Sequence, residues 1–148
     1  MCIRDRLFGD QTEFVYFSPG AVRIAEKSSA PVKNRAHSIE TQIDVQGEED
    51  GVIVAVGGMT GGYSMFIKDN RLYYDYNFLD GVHYTLQSPP LPLGKVDLKF
   101  NFIKTQDFGG IGELYVNGEK VDEIEMPQMH VATYSLAETF DVGRDTGT

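Results

Sequence analysis

Lys95 to Phe102 alternates strictly between polar and apolar side chains. Val96, Leu98, Phe100 and Phe102 fall on one side, and Asp97, Lys99 and Asn101 on the other. A period of two sends successive side chains to opposite faces of a strand, so this segment predicts an antiparallel strand with one face buried and one face wet. The same period returns where Leu72, Tyr74, Tyr76 and Phe78 alternate with Tyr73, Asp75 and Asn77. It recurs more loosely over Ser38–Val45, with Ile39, Ile43 and Val45 inward. Gly51-Val-Ile-Val-Ala-Val56 is instead a short continuous apolar run, the pattern of a central strand covered on both faces.

Turn chemistry separates these runs. Glu113-Leu-Tyr-Val-Asn-Gly-Glu-Lys-Val121 predicts a hairpin, because Asn117-Gly118 suits the two left-handed positions of a type I′ turn. Lys68-Asp-Asn-Arg71 joins Tyr63–Ile67 to Leu72–Asn77 in the same way. Gly57-Gly58 and Gly61-Gly62 bracket another tight connection. Ser88-Pro-Pro-Leu-Pro-Leu-Gly94 lacks three ladder donors and reads as an extended crossover between sheets. Ser18–Arg35 reads as a loop, and Thr133–Thr139 is the best helical segment, one or two turns long. Some nine or ten short strands predict an all-β fold, an antiparallel β-sandwich.

Composition narrows the function classes. At 148 residues the chain is the size of one domain and needs neither disulfide nor metal to fold. Its one cysteine, Cys2, rules out an intrachain disulfide. The 13 Lys and Arg stand against 22 Asp and Glu, a net charge of −9 that opposes nucleic acid and anionic lipid. No apolar run approaches the ~18 residues of a membrane-spanning helix.

The order of several segments resembles the C-terminal domain of bacterial arylsulfatases. They are Pro19-Gly-Ala-Val-Arg-Ile24, Ala30-Pro-Val-Lys-Asn-Arg-Ala-His-Ser-Ile39, Gly51–Gly58, Gly61–Asp69, Tyr73–Phe78, Gly109–Gly118 and Glu138–Gly147. The resemblance spans about Leu7 to Thr148. It implies a concanavalin A-like jelly roll behind an α/β catalytic domain that hydrolyses sulfate esters. It further implies formylglycine and calcium as the parent's cofactors, neither supplied by this chain, and the catalytic domain as a partner in cis. That family's catalytic motif is Cys/Ser-x-Pro-x-Arg. Cys2-Ile-Arg-Asp-Arg6 has the cysteine and arginine at that separation, but Arg4 stands at the proline position. Met-Cys-Ile-Arg-Asp-Arg resembles a translated adapter remnant, so residues 1–6 are expected to be a non-native segment, with one sandwich domain over 7–148. The family continues through a further strand beyond Gly147, so a closing strand is expected to be missing. The resemblance favours neither periplasm nor cytoplasm.

Several constellations compete for a functional role. Tyr73, Asp75 and Asn77 with His83, Thr85 and Gln87 on the next strand form one polar sheet face. Such a face is a site for sugar, a surface for the catalytic domain, or a solvated face. Arg35 and His37, in the segment shared with the family, are expected to contact the catalytic domain or to brace the loop before Ser38. For calcium, Glu48-Glu-Asp50 and the pair Asp141 and Asp145 lack a ligand spacing, so no metal residue is assigned. Asp75 with Asp80, or Glu123 with Glu125, would have to supply a glucanase-like acid and base, but the Glu-x-Asp-x-x-Glu strand motif is missing. His37, His83 and His130 sit in no triad context, so no catalytic residue is assigned either.

The expected function is a non-catalytic accessory domain of an arylsulfatase. An autonomous carbohydrate-binding module is the alternative, and a glucanase-like hydrolase a weaker one. A sandwich without its closing strand exposes an unpaired edge. Extending the chain by the family's closing strand is expected to raise its solubility and melting temperature, and equal values for both forms would refute the missing strand.

Overall fold

The computed structural model describes residues 13–16, 24–25, 30–33, 35–58, 61–79, 81–129 and 139–143. Every regular element among them is a strand: β1 (Ile24–Ala25), β2 (His37–Val45), β3 (Gly51–Gly58), β4 (Gly61–Lys68), β5 (Arg71–Leu79), β6 (Val82–Pro90), β7 (Gly94–Gln106), β8 (Gly109–Val116), β9 (Glu119–Met126) and β10 (Thr139–Val142). They form two sheets, ordered β1-β10-β3-β4-β5-β6 and β2-β7-β8-β9, with every pairing antiparallel. The two sheets pack face to face as a β-sandwich, the arrangement that the one-sided alternation demands.

The alternating residues supply the core. Leu72, Tyr74 and Tyr76 of β5 and Val96, Leu98, Phe100 and Phe102 of β7 are all buried in one cluster. At its centre the Tyr74 ring lies on the Phe100 ring, centroids 3.5 Å apart and planes 5° from parallel, joining one sheet to the other. The Tyr63 ring stacks against Tyr74 as well, with centroids 6.1 Å apart. In β3, Val54, Ala55 and Val56 are buried in succession, as a strand covered on both faces requires.

The turns follow their local chemistry. Asn117 and Gly118 take φ of 52° and 79° between β8 and β9, and Asp69 and Asn70 take 51° and 58° between β4 and β5. The β3–β4 end needs glycine for space as well as conformation. A Cβ on Gly62, at φ +145°, would meet the Val56 carbonyl oxygen at 1.9 Å, and one on Gly57 would meet the Gly61 oxygen at 2.1 Å.

Three expectations change. The extended crossover is shorter than Ser88–Gly94, since Ser88–Pro90 closes β6 and Gly94 opens β7. The prolines are tolerated because β6 is an edge strand. The buried Ser88 hydroxyl also accepts the Leu72 N–H at 2.9 Å, beside a register shift. Within the stretch read as a loop, Ile24–Ala25 pairs with β10 as β1. Of the helical segment Thr133–Thr139, Thr139 begins a strand and the rest lies outside the described residues, as do residues 1–6 and 144–148.

Truncating a buried aromatic removes apolar area and leaves a cavity. Phe100→Ala is expected to destabilise the sandwich by about 3–5 kcal/mol, read as a lower urea midpoint at unchanged slope.

Candidate functional site

Strand register builds the predicted polar face from residues distant in sequence. On the outer side of the six-stranded sheet the pairings form three rows: Gly62, Asn77 and His83; Ser64, Asp75 and Thr85; Phe66, Tyr73 and Gln87. All six residues singled out from the sequence therefore share one face. Asp75 is its centre. One carboxylate oxygen accepts the Thr85 hydroxyl at 2.7 Å, and the other meets His83 Nδ1 at 2.7 Å. A carboxylate accepts from a ring N–H, so His83 Nδ1 carries a proton and donates it to Asp75. The Thr85 hydroxyl bonds the carboxylate rather than the imidazole, so the cluster activates no nucleophile. Its geometry is that of a rigid hydrogen-bonding surface.

The remaining members divide. Asn77 is buried. The Tyr73 ring is parallel to that of Phe66 within 9°, with centroids 5.3 Å apart, which occupies one of its two faces. Phe66 was legible as an apolar residue of β4, but only the register brings it beside Tyr73. Gln87 contributes its backbone: its N–H donates to Asp122 Oδ2 of β9 at 3.0 Å, tying the edge of one sheet to the other.

Arg35 and His37 lie elsewhere, at the start of β2. Both line a cavity between the sheets, together with residues of β3 and β10. The Arg35 carbonyl accepts a hydrogen bond from His37 Nδ1 at 2.8 Å, so this ring also carries its proton on Nδ1. Its Nε2 is shut off from solvent and has no hydrogen-bond partner among the described residues. The imidazole stands beside Phe100 and Phe102, at 6.0 and 5.6 Å. Burial pushes its pKa below the ordinary histidine value, against a smaller opposite pull from the Arg35 carbonyl. His37 thus ties its own ring to the backbone of the segment just before β2.

The acidic candidates are engaged locally. Glu49 accepts the backbone N–H groups of Gln46 and Gly47, which hold its carboxyl below the usual range, and Asp50 accepts the Asp69 N–H at 2.7 Å. These carboxylates shape turns. Glu123 pairs with Lys120 at 2.7 Å, and the same lysine reaches Glu113 at 3.3 Å. Glu113, which sequence reasoning passed over, is buried on the outer face of β8. Its bond from Asn101, at 3.1 Å, is the main cause of its lowered pKa. Asp141 is buried in β10, while its suggested companion Asp145 lies outside the described residues. So do Asp80, the suggested companion of Asp75, and Cys2 and His130. Among the described residues, no group of three or more His, Cys, Asp or Glu is placed to hold a metal.

The site and fold together define an all-β sandwich carrying a braced polar face. No protein-family model matches the chain, and neither does any curated protein.

The half-buried His37, its pKa lowered by desolvation, makes stability depend on pH. As pH falls through about 6.5, the unfolded chain takes up a proton that the folded ring still refuses. Stability therefore declines on acidification through that value, until the lowered folded pKa is reached. The urea midpoint is expected to fall between about pH 7 and 5, and to fall less in His37→Phe; identical pH slopes would contradict a neutral His37.

Proposed function

We propose that this chain is a non-catalytic accessory domain of an arylsulfatase, seated on the catalytic domain in cis through the outer face of β4, β5 and β6. The observation that carries this reading is the closed hydrogen bonding around Asp75, whose two oxygens are taken by His83 and Thr85. A face already organised loses little entropy on docking, and its satisfied groups have no reaction to drive. The segment order that resembles the arylsulfatase C-terminal domain names the parent, with calcium and formylglycine belonging to its catalytic half. The carbohydrate-binding alternative would stack a sugar on the ring face of Tyr73 that Phe66 does not occupy.

The coding DNA upstream of Leu7 tests the parent. An in-frame α/β domain containing Cys/Ser-x-Pro-x-Arg is the expected result, and any other in-frame domain overturns it. In that two-domain protein, Asp75→Ala with His83→Ala is expected to lower Tm by about 2–4 °C for each kcal/mol of docking lost. The kcat/KM of the folded enzyme should stay unchanged. Glycan-array binding by this chain that disappears in Tyr73→Ala with Asn77→Ala would favour the carbohydrate module instead.

A further inference from the structure

Four strands end the two sheets, and three of them are blunted against pairing with another chain. β1 is two residues long. β6 carries Pro89 and Pro90, shifts register twice against β5, and has its Gln87 N–H taken by Asp122. β9 presents Lys120 among its carboxylates and shifts register against β8. Short length, proline, irregular register and lysine are the devices that protect a sheet edge.

β2 has none of them. Its nine residues, His37–Val45, include neither lysine nor proline. They pair with β7 from end to end without a register shift. Alternate residues of an antiparallel strand turn their N–H and C=O groups away from the partner. Among the described residues, no other strand or backbone group meets β2 on that side. The inward side chains Ile39, Thr41 and Ile43 stay half-buried, whereas Phe100, Leu98 and Val96 opposite them on β7 are fully buried. The sandwich is open beside β2, where the cavity toward β3 and β10 lies.

The sequence of β2 is complementary to itself. A second copy can lie antiparallel to it, with a two-fold axis through Thr41 normal to the sheet. Every residue of the strand then has an opposite: Thr41 meets Thr41, Ile39 meets Ile43, Glu40 meets Gln42, Ser38 meets Asp44 and His37 meets Val45. The two-fold repeats each unlike pair. Isoleucine faces isoleucine, and no carboxylate stands opposite another. Moving the axis by one residue breaks this. Through Gln42 it sets Glu40 against Asp44, and through Glu40 it sets that residue against itself. The register that uses the full strand is thus also the one that avoids like charges. The net charge of −9 repels two copies at long range. At the edge itself, Glu40 has Lys99 across the strand pair at 3.5 Å, and Asp44 has Lys95.

We propose that β2 is a dimerisation edge that pairs antiparallel with β2 of a second copy, joining two four-stranded sheets into one continuous sheet. One strand pair buries less area than a permanent interface, so this dimer depends on concentration. The edge is separate from the outer face of β4–β6 and does not depend on the accessory-domain reading.

Sedimentation of the full chain over roughly 10 μM to 1 mM tests this. The mass is expected to rise from 16.5 kDa toward twice that value. Added salt should shift the rise to lower concentration, because it screens the repulsion between copies. In a mixture of isotope-labelled and unlabelled chains, contacts between copies should appear at Thr41 with Thr41 and at Ile39 with Ile43. Gln42→Glu sets a carboxylate against Glu40 of the second copy, twice by symmetry, and should weaken the dimer by about tenfold. Gln42→Lys should tighten it by about the same factor. A chain that keeps the mass of one copy across the range overturns the proposal. So does a dimer whose contacts between copies lie outside β2, or one that both Gln42 variants shift alike. The isotope experiment uses the unaltered chain and stands even if a variant fails to fold.

Discussion

The Tyr74 ring on the Phe100 ring joins two sheets that share no strand. Each ring is held by the period of its own strand, and each strand places its other inward residues by the same rule. The stack therefore sets which residues of β5 and β7 are core and which are solvent-facing. Tyr63 extends it toward β3 and β10, and His37 meets its other end through Phe100. Burial also keeps these phenols neutral. Desolvation raises the pKa of both Tyr63 and Tyr74 above the ordinary value, with smaller contributions from neighbouring phenols. The ionised forms would have to exist in apolar surroundings.

Edge management explains the asymmetry of the sandwich. β6 and β9 are outermost in their sheets, and an outermost strand offers unpaired backbone donors. Asp122 takes the Gln87 N–H of β6, and two residues further along the same edge Pro89 has no N–H to offer. That side is closed by a side chain from one sheet and proline chemistry in the other. At the opposite side a cavity opens between β2 and the strands β3 and β10, with His37 of β2 among its lining residues. One face of the molecule is thus centred on the hydrogen-bonded Asp75, and the cleft at the other side mixes apolar side chains with Glu13, Arg35 and Glu40.

Much of this was legible in the chain. The inward sets of β5 and β7 follow from alternation alone, because a pleated strand has no other way to sort its side chains. The Asn117-Gly118 hairpin and the Asp69-Asn70 turn follow from residues that accept positive φ. The six polar-face residues were placed on one face from period and strand order. What stayed hidden depends on register. Asp75 meets His83 diagonally and Thr85 directly only because β5 and β6 pair as they do, with a shift after Asn77. Phe66 joins Tyr73 through the register of β4 and β5. Glu49 reads in the sequence as one residue of an acidic turn, and only the fold shows its carboxylate turned back on its own backbone.

The sequence by itself determined an antiparallel all-β fold, the identity of its core faces and the position of its tight turns. Those properties reside in segments of a few residues, where backbone sterics and the period of two act without outside help. Only the tertiary structure decided what the polar groups do. Hydrogen bonds act over about 3 Å and depend on direction, so whether Asp75 is free or braced, and whether His37 is exposed or buried, is set by which strands lie side by side and how far apart the two sheets stand.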